Sequence, residues 1–219
     1  RLSVNWMGVD HMCLRLILFR RGCGWRGVVI GTNLVLQSQR EKGVRFYSQM
    51  KRVSTMEPLE QSALALKAML DRKQISAVEV MQATLAQIDA VNGLVNAVVS
   101  LRDQDALMAE AAQADAAPRR GPLHGLPMAI KDLADAEDLP TSMGSLIYAG
   151  QVATSDALMV ARLRAAGAII IGKTNTPEFG LGSHTFNPVH GVTRNPYDPS
   201  RSAGGSSGGA AVALSTRML

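Results

Sequence analysis

Two serines stand between two pairs of glycines near the end of the sequence, in the run Gly204-Gly205-Ser206-Ser207-Gly208-Gly209. Glycine has no Cβ, so such a run can adopt positive φ angles and allows other groups to approach its backbone closely. The pattern predicts a shaped turn that presents two hydroxyl groups. We therefore interpret Ser206 and Ser207 as candidates for catalysis or anion binding rather than for packing.

The composition indicates a globular protein whose two parts differ in charge. Of the 219 residues, 47% are apolar and 19% are charged, which is typical of a folded domain. Residues 1–55 carry ten basic and two acidic residues, whereas residues 56–219 carry 13 basic and 16 acidic residues. Both cysteines lie in the first part. A disulfide framework is therefore excluded for the second part, and we expect a cytoplasmic protein.

This shift in charge predicts a domain boundary between a basic leader, residues 1–55, and a folded part, residues 56–219. Three interpretations of the leader remain open: an organellar transit peptide, a basic arm that binds nucleic acid, or sequence translated upstream of the natural start. We favour the third, with a start at Met50 or Met56 and a leader that is non-native or disordered. Its apolar runs are shorter than the ~20 residues that a membrane-spanning helix needs.

Apolar periodicity and turn residues in the folded part predict an α/β order of elements. Ser76 and Glu79 form a capping box that opens a helix, and Asn92-Gly93 is expected to end it. The pattern predicts helices over residues 58–72, 77–91, 103–116, 156–166 and 210–217, strands over 96–101, 128–130 and 168–171, and a turn over 172–177.

The surroundings of three familiar motifs argue against the sites that such motifs usually form. Residues 167–174 match a phosphate-binding loop letter for letter, but the residues between its glycines are Ala and three Ile, which favour a strand. Ser207 matches a nucleophile elbow, yet no acid or histidine follows Gly209. The four histidines lack the spacing of metal ligands, so we predict no metal and no cofactor.

Lys131 is the remaining candidate for acid–base chemistry. It follows the apolar residues Met128-Ala129-Ile130, which predict a buried strand that carries the lysine at its end. Burial disfavours the charged form of lysine and lowers the pKa of its amine, so that the amine can accept a proton. With no histidine suitably placed, a relay between lysine and serine is the hydrolytic chemistry that remains.

Four segments, in the same order, resemble the amidase signature family. They are residues 121–132 (GPLHGLPMAIKD), 167–175 (GAIIIGKTN), Glu178-Phe179-Gly180 and 203–211 (AGGSSGGAA). The resemblance runs from about Leu59 to Leu219. It implies an α/β fold with a mixed β-sheet core flanked by helices, here truncated before the sheet is complete.

The resemblance also implies roles for individual residues in a Ser–Ser–Lys triad that hydrolyses carboxamides. Lys131 matches the base, and Ser206 matches the bridging serine, which also contacts substrate and follows a cis peptide bond after Gly205. Ser207 and Asp132 are expected to support this network. Gly180 is expected to bind substrate, since it belongs to the loop that borders the acyl pocket in the family.

One part of the family pattern is missing. Family members carry the nucleophilic serine in a second glycine-rich motif. The 13 residues after Ser206 contain no second motif of this kind. Ser215 lies within a predicted helix without glycines, so we expect no nucleophile in this chain and no amidase activity from the chain alone. We interpret it as the N-terminal portion of an amidase that acts on a small-molecule amide and forms an acyl-enzyme.

The expected partners are that small-molecule amide and, in the full-length protein, a second copy in a homodimer, with no nucleic acid and no membrane. Three alternatives stay open. The protein is an amidotransferase subunit of the same family, a non-catalytic binding protein that retains half the fold, or a nucleotide-binding protein that uses Gly172–Thr174.

Overall fold

The structure is a computed structural model that describes residues 4–9, 12–20, 25–28 and 58–219. In its first part the chain forms three antiparallel strands in sequence order, β1 Val4–Val9, β2 Met12–Arg20 and β3 Trp25–Val28. The proposed start sites, Met50 and Met56, lie outside the described residues. The leader and its boundary after residue 55 therefore stay predictions.

A three-stranded mixed sheet forms the core of residues 58–219. It contains β4 Val98–Leu101, β5 Pro127–Lys131 and β6 Ile169–Thr174, in the spatial order β4-β6-β5. Strand β5 runs parallel to β6, whereas β4 runs antiparallel to it. Parallel neighbours need a crossover connection, which the helix between β5 and β6 supplies. The predicted α/β architecture is confirmed.

Five α-helices lie within the described residues, and each overlaps one of the five predicted helices. They are α1 Ala63–Asp71, α2 Ala77–Val95, α3 Gln104–Ala116, α4 Leu158–Ala165 and α5 Gly208–Ser215. The loop-rich region after β6 contains two short antiparallel pairs: β7 Phe186–Asn187 with β8 Gly191–Val192, and β9 Arg194–Asn195 with β10 Asp198–Ser202. No helix of the described part is long and apolar enough to span a membrane.

The side chains of β6 face two separate hydrophobic clusters. Ile169 and Ile171 pack with residues of α2, α3 and α5 on one face of the sheet. Ile170 packs on the other face, with Val160 of α4. Since successive residues of a strand point to opposite faces, β6 is covered on both sides, and all six of its residues are buried.

Helix α2 begins where the sequence predicts but ends later. Ser76 and Glu79 form the expected capping box. The prediction that Asn92-Gly93 ends the helix is wrong, because α2 continues to Val95 and Asn96 takes the left-handed conformation. The amide of Asn92 accepts hydrogen bonds from the backbone N–H groups of residues 97 and 98, both at 2.9 Å. Asn92 therefore ties the helix end to β4 instead of stopping the helix.

Strand β6 also extends further than predicted. The turn expected at residues 172–177 begins only after Thr174, because Gly172 and Lys173 pair with both β4 and β5. A Cβ on Gly172 would lie 2.2 Å from the carbonyl oxygen of Ser100, so glycine permits this close pairing. Gly172–Thr174 is therefore buried strand, which confirms the rejection of a phosphate-binding loop there.

Helix α5 packs its first turn directly against the chain that follows β6. A Cβ on Gly209 would lie 2.3 Å from the backbone nitrogen and 2.6 Å from the carbonyl oxygen of Asn175. In contrast, Gly93 is exposed in α2, and a Cβ there would meet nothing within 4 Å. These two glycines provide a matched pair, since both lie in helices and only one is in close contact.

We predict that Gly209→Ala lowers the free energy of unfolding by about 1–3 kcal/mol, because the new methyl group overpacks the contact with Asn175. Gly93→Ala, the control, is expected to raise it by about 0.5–1 kcal/mol, because alanine loses less backbone entropy in a helix. Urea unfolding followed by circular dichroism measures both. Equal effects of the two substitutions would contradict the packing described here.

Candidate active site

Strand β5 delivers Lys131 to the end of the sheet, as the sequence predicted. Gly125 has a φ of +80° and turns the chain into the strand, which then runs beside β6 with Lys131 paired to Thr174. The side chain of Ile130 is buried in the core beneath the sheet. Because side chains alternate along a strand, Lys131 points to the opposite face.

The serine turn, residues 204–209, lies against the segment that carries Ser183 and Thr185. The N–H of Gly205 donates to the carbonyl of Ser183 at 2.7 Å, and the N–H of Gly208 donates to the hydroxyl of Thr185 at 3.1 Å. The peptide bond between Gly205 and Ser206 is cis, as the resemblance implied.

The glycines of this turn allow close approach, and none of them has a positive φ angle. Of the two properties that the glycine run makes possible, the structure therefore uses close approach and not positive φ. A Cβ on Gly205 would lie 2.7 Å from the carbonyl oxygen of Gly182, and one on Gly208 would lie 2.1 Å from the hydroxyl of Thr185. At these two positions neighbouring atoms occupy the space that a side chain would need, whereas a Cβ on Gly204 would meet nothing within 4 Å.

The amine of Lys131 contacts both serines of the turn. Its Nζ lies 2.8 Å from Oγ of Ser206 and 3.0 Å from Oγ of Ser207. Lys131 and Ser206 are half-buried, whereas Ser207 is exposed. The lysine is therefore less enclosed than its apolar approach predicted, but burial still lowers the pKa of its amine below the ordinary value. A larger fraction of the amine is uncharged at a given pH, and an uncharged amine can accept a proton from a hydroxyl.

Ser207 occupies the position before helix α5 but does not cap it. Serine at such a position usually accepts a hydrogen bond from a backbone N–H of the first turn. Here the Ser207 side chain makes no capping bond. Its hydroxyl accepts instead from Lys131. The contact places Ser207 beside the Lys131 amine, and its supporting role, which the resemblance implied, stays a prediction.

Asp132 turns away from the serines, to the other face of β5. Its carboxylate is fully buried and accepts hydrogen bonds from the hydroxyl of Ser142 at 2.6 Å and from its N–H at 3.3 Å. Nζ of Lys173 lies 3.4 Å from the carboxylate, and Nε2 of His190 lies 3.5 Å from it. Burial favours a raised pKa for Asp132, but hydrogen bonds from His190 and Ser142 and the charge of Lys173 outweigh it, so the pKa is lowered.

Lys173 is enclosed completely within the described residues. Its amine donates to the carbonyl of Ala134 at 2.7 Å and to the hydroxyl of Thr141 at 2.8 Å. Burial lowers the pKa of this amine, while the Asp132 carboxylate opposes the shift. We call the side chains of Asp132, Ser142, Lys173 and His190 the buried cluster. It lies on the opposite face of β5 from the Lys131 amine.

The family model described as Amidase matches residues 79–219, which include both Lys131 and the serine turn. This chain belongs to the amidase signature family. It is 44% identical over 162 residues to a glutamyl-tRNA(Gln) amidotransferase subunit of Nocardia farcinica, covering 72% of this chain and 33% of that protein. It is 42% identical over 161 residues to an acylamidase of Rhodococcus erythropolis, covering 72% of this chain and 34% of that protein.

Solved structures of the family share the fold. A 6-aminohexanoate cyclic dimer hydrolase complexed with substrate superposes with a TM-score of 0.65 at 35% identity, covering 73% of this chain and 33% of that one. The chain thus spans about a third of the length of the curated amidase relatives it matches.

Gly180 lies on a short turn, Glu178–Gly180, next to the strand end that carries Lys131. Its φ is +72°, and a Cβ there would lie 2.6 Å from a methyl group of Leu133. The loop that continues from it reaches the serine turn at Ser183. Its role in binding the amide substrate stays a prediction.

The sequence interpretation missed most of the buried cluster. The pattern predicts a turn at Lys173, and His190 is one of four histidines that lack the spacing of metal ligands. Thr176 was also missed, although its hydroxyl donates to the carbonyl of Ser206 at 3.2 Å. The available signal was residues 167–175, where a lysine follows a fully apolar run. No sequence pattern identifies His190. Among the described residues, no group of three or more His, Cys, Asp or Glu side chains could hold a metal.

We predict that the Lys131 amine loses its proton at a lower pH than an exposed lysine, because burial disfavours its cation. Competitive acylation of the amine across a pH series, read by peptide mass spectrometry, gives the midpoint of its titration. That midpoint should lie below the one for Nα-acetyl-lysine amide in the same tube. In the urea-unfolded chain the two midpoints should coincide, and a folded midpoint at or above the reference would contradict the geometry.

Proposed function

We propose that this chain supplies the lysine base and the bridging serine of an amidase that cleaves a small-molecule carboxamide through an acyl-enzyme. The observation that carries the proposal is the 2.8 Å contact between Nζ of Lys131 and Oγ of Ser206. The lowered pKa of the lysine supports it, because the base must be uncharged to accept a proton.

In the proposed reaction, protons move between Ser206 and Lys131 while an acyl group is transferred. Uncharged Lys131 accepts the proton of the Ser206 hydroxyl, whose oxygen in turn takes the proton of an attacking hydroxyl. The attacking oxygen bonds to the amide carbon, and the carbon–nitrogen bond breaks. The leaving nitrogen takes up the relayed proton, and water then hydrolyses the ester by the same relay in reverse.

The attacking hydroxyl is proposed to come from a serine in the second glycine-rich motif of the family. In the part of the chain that the structure describes, Ser206 and Ser207 are the side chains that hydrogen-bond to the Lys131 amine. Ser215 lies at the end of α5 and donates to the carbonyl of Val212 at 3.1 Å, so its hydroxyl is hydrogen-bonded within the helix. We therefore expect no turnover of a simple carboxamide by the 219-residue chain assayed alone.

A chimera tests the roles of Lys131 and Ser206. Residues 79–219 of this chain replace the aligned segment of the Rhodococcus erythropolis acylamidase, and release of amine from an acyl amide is measured. The chimera should be active, and Lys131→Ala or Ser206→Ala should each lower kcat/KM by about 10²–10⁴-fold, because the proton relay is lost.

Ser215→Ala is the matched control, since it removes a hydroxyl from the same segment without touching the pair. It should leave the activity of the chimera unchanged. Retention of activity by the Lys131→Ala chimera would contradict the proposed base. A chimera that binds a substrate amide without turning it over would favour the non-catalytic alternative.

A second candidate function is the ammonia-releasing component of an amidotransferase. It is favoured by the 44% identity to the amidotransferase protein of Nocardia farcinica. The same replacement made in that protein, assayed for glutamine hydrolysis with the rest of its complex present, separates the two candidates. Higher activity in the amidotransferase background than in the acylamidase background, each relative to its own parent, would favour the amidotransferase.

A further inference from the structure

Lys131 and Asp132 are consecutive residues whose side chains serve opposite faces of one strand end. The Lys131 amine contacts the serine turn, whereas the Asp132 carboxylate lies within the buried cluster. The N–H of Asp132 also donates to the carbonyl of Thr174 at 3.0 Å, which continues the pairing of β5 with β6 past Lys131. Any displacement of Asp132 therefore moves the backbone that carries Lys131.

The buried cluster contains a pair of charged groups, and packing alone does not account for it. Asp132 and Lys173 are both 0% exposed. Apolar side chains of similar volume would fill this space without the desolvation cost of two ions, and such replacements are often neutral or stabilising. The pair differs from apolar packing in being directional, since the carboxylate has three polar groups around it in fixed positions: Ser142, Lys173 and His190.

The same end of β6 also holds the serine turn. Two residues beyond the strand, the hydroxyl of Thr176 donates to the carbonyl of Ser206. The carbonyl of Asn175 accepts the N–H of Gly209 at 3.2 Å. Within residues 173–176, Lys173 thus contacts Asp132, the neighbour of the proposed base. Thr176 contacts Ser206, the proposed bridging serine.

We propose that Asp132 and Lys173 are positioning residues, which fix the end of β5 so that the Lys131 amine stays against the hydroxyl of Ser206. This inference rests on the proposed function in one respect, namely that the reaction needs the contact between Lys131 and Ser206. Neither residue touches the reacting atoms, because both side chains lie on the far face of the strand. Asp135 is a further charged group near Lys173.

The substitution Asp132→Asn tests the proposal through the titration of Lys131. It keeps the size of the side chain and removes its charge. If Asp132 positions Lys131, the amine becomes more exposed and its titration midpoint rises toward that of Nα-acetyl-lysine amide. The labelling of Lys131 is normalised to its own high-pH plateau in each protein. At a pH below the midpoint, it should be about threefold or more lower in Asp132→Asn than in the unsubstituted chain.

A direct electrostatic effect would have the opposite sign. Removal of a nearby negative charge disfavours the lysine cation, which lowers the midpoint. A role confined to stability would leave the midpoint where it is. A midpoint that falls or stays unchanged in Asp132→Asn therefore overturns the proposal, and only a rise supports it.

Asp156→Asn is the matched control for general destabilisation. Asp156 is also a largely enclosed carboxylate, with a side chain 11% exposed, and it bonds to Arg164 and to the N–H of Glu137, both at 2.8 Å. The Asp156→Asn substitution should lower Tm and leave the titration midpoint of Lys131 unchanged.

Should Asp132→Asn fail to fold by circular dichroism, Ser142→Ala provides the same test with the charges intact. It removes the 2.6 Å hydrogen bond to Asp132 and should shift the Lys131 midpoint upward by a smaller amount. An unchanged midpoint in a folded Ser142→Ala protein overturns the proposal. The labelling needs no substrate, so its outcome is independent of amide hydrolysis by the chimera.

Discussion

The hydrogen bond between the Lys131 amine and the Ser206 hydroxyl joins two segments that are 75 residues apart in the chain. Both ends of this contact depend on strand β6. The lysine lies on β5, which pairs with β6 in parallel register, and the serine turn contacts the residues that follow β6. One strand, buried on both faces, thus orients the two groups, and the proposed chemistry needs them at this short distance.

Polar groups at the end of β6 are placed where a hydrophobic core would otherwise continue. Lys173, Thr174, Asn175 and Thr176 are all fully buried. Buried polar groups are costly unless they find partners, and most atoms here do so, such as Asn175 with the hydroxyl of Thr193 at 3.0 Å. The Oγ1 of Thr174 is an exception among the described residues. Local departures from apolar packing of this kind are expected at functional sites.

The sequence was sufficient to predict the five helices and the three strands of the core sheet, and the resemblance carried by its motifs was sufficient for the family and for placing Lys131 with Ser206. Long apolar patterns carry the information on helices and strands locally, whereas the pairing of Lys131 with Ser206 is what the resemblance implies. The sequence was insufficient for Asp132, whose environment depends on Lys173 and His190, 41 and 58 residues further along the chain. It also misjudged Asn92 and Lys173, since both look like turn or surface residues until a distant partner satisfies them. Such pairings are tertiary, so no local pattern predicts them.

Strand β6 is the common support of the serine pair and of both hydrophobic clusters, and this has a thermodynamic consequence. A site built on a mobile loop opens by local fluctuation, at a free energy well below that of global unfolding. Here strand β5 carries the lysine and the residues after β6 hold the serine turn, so loss of the pairing around β6 removes the support of both groups. We therefore expect the geometry of the lysine–serine contact to be coupled thermodynamically to the cooperative unfolding of the domain.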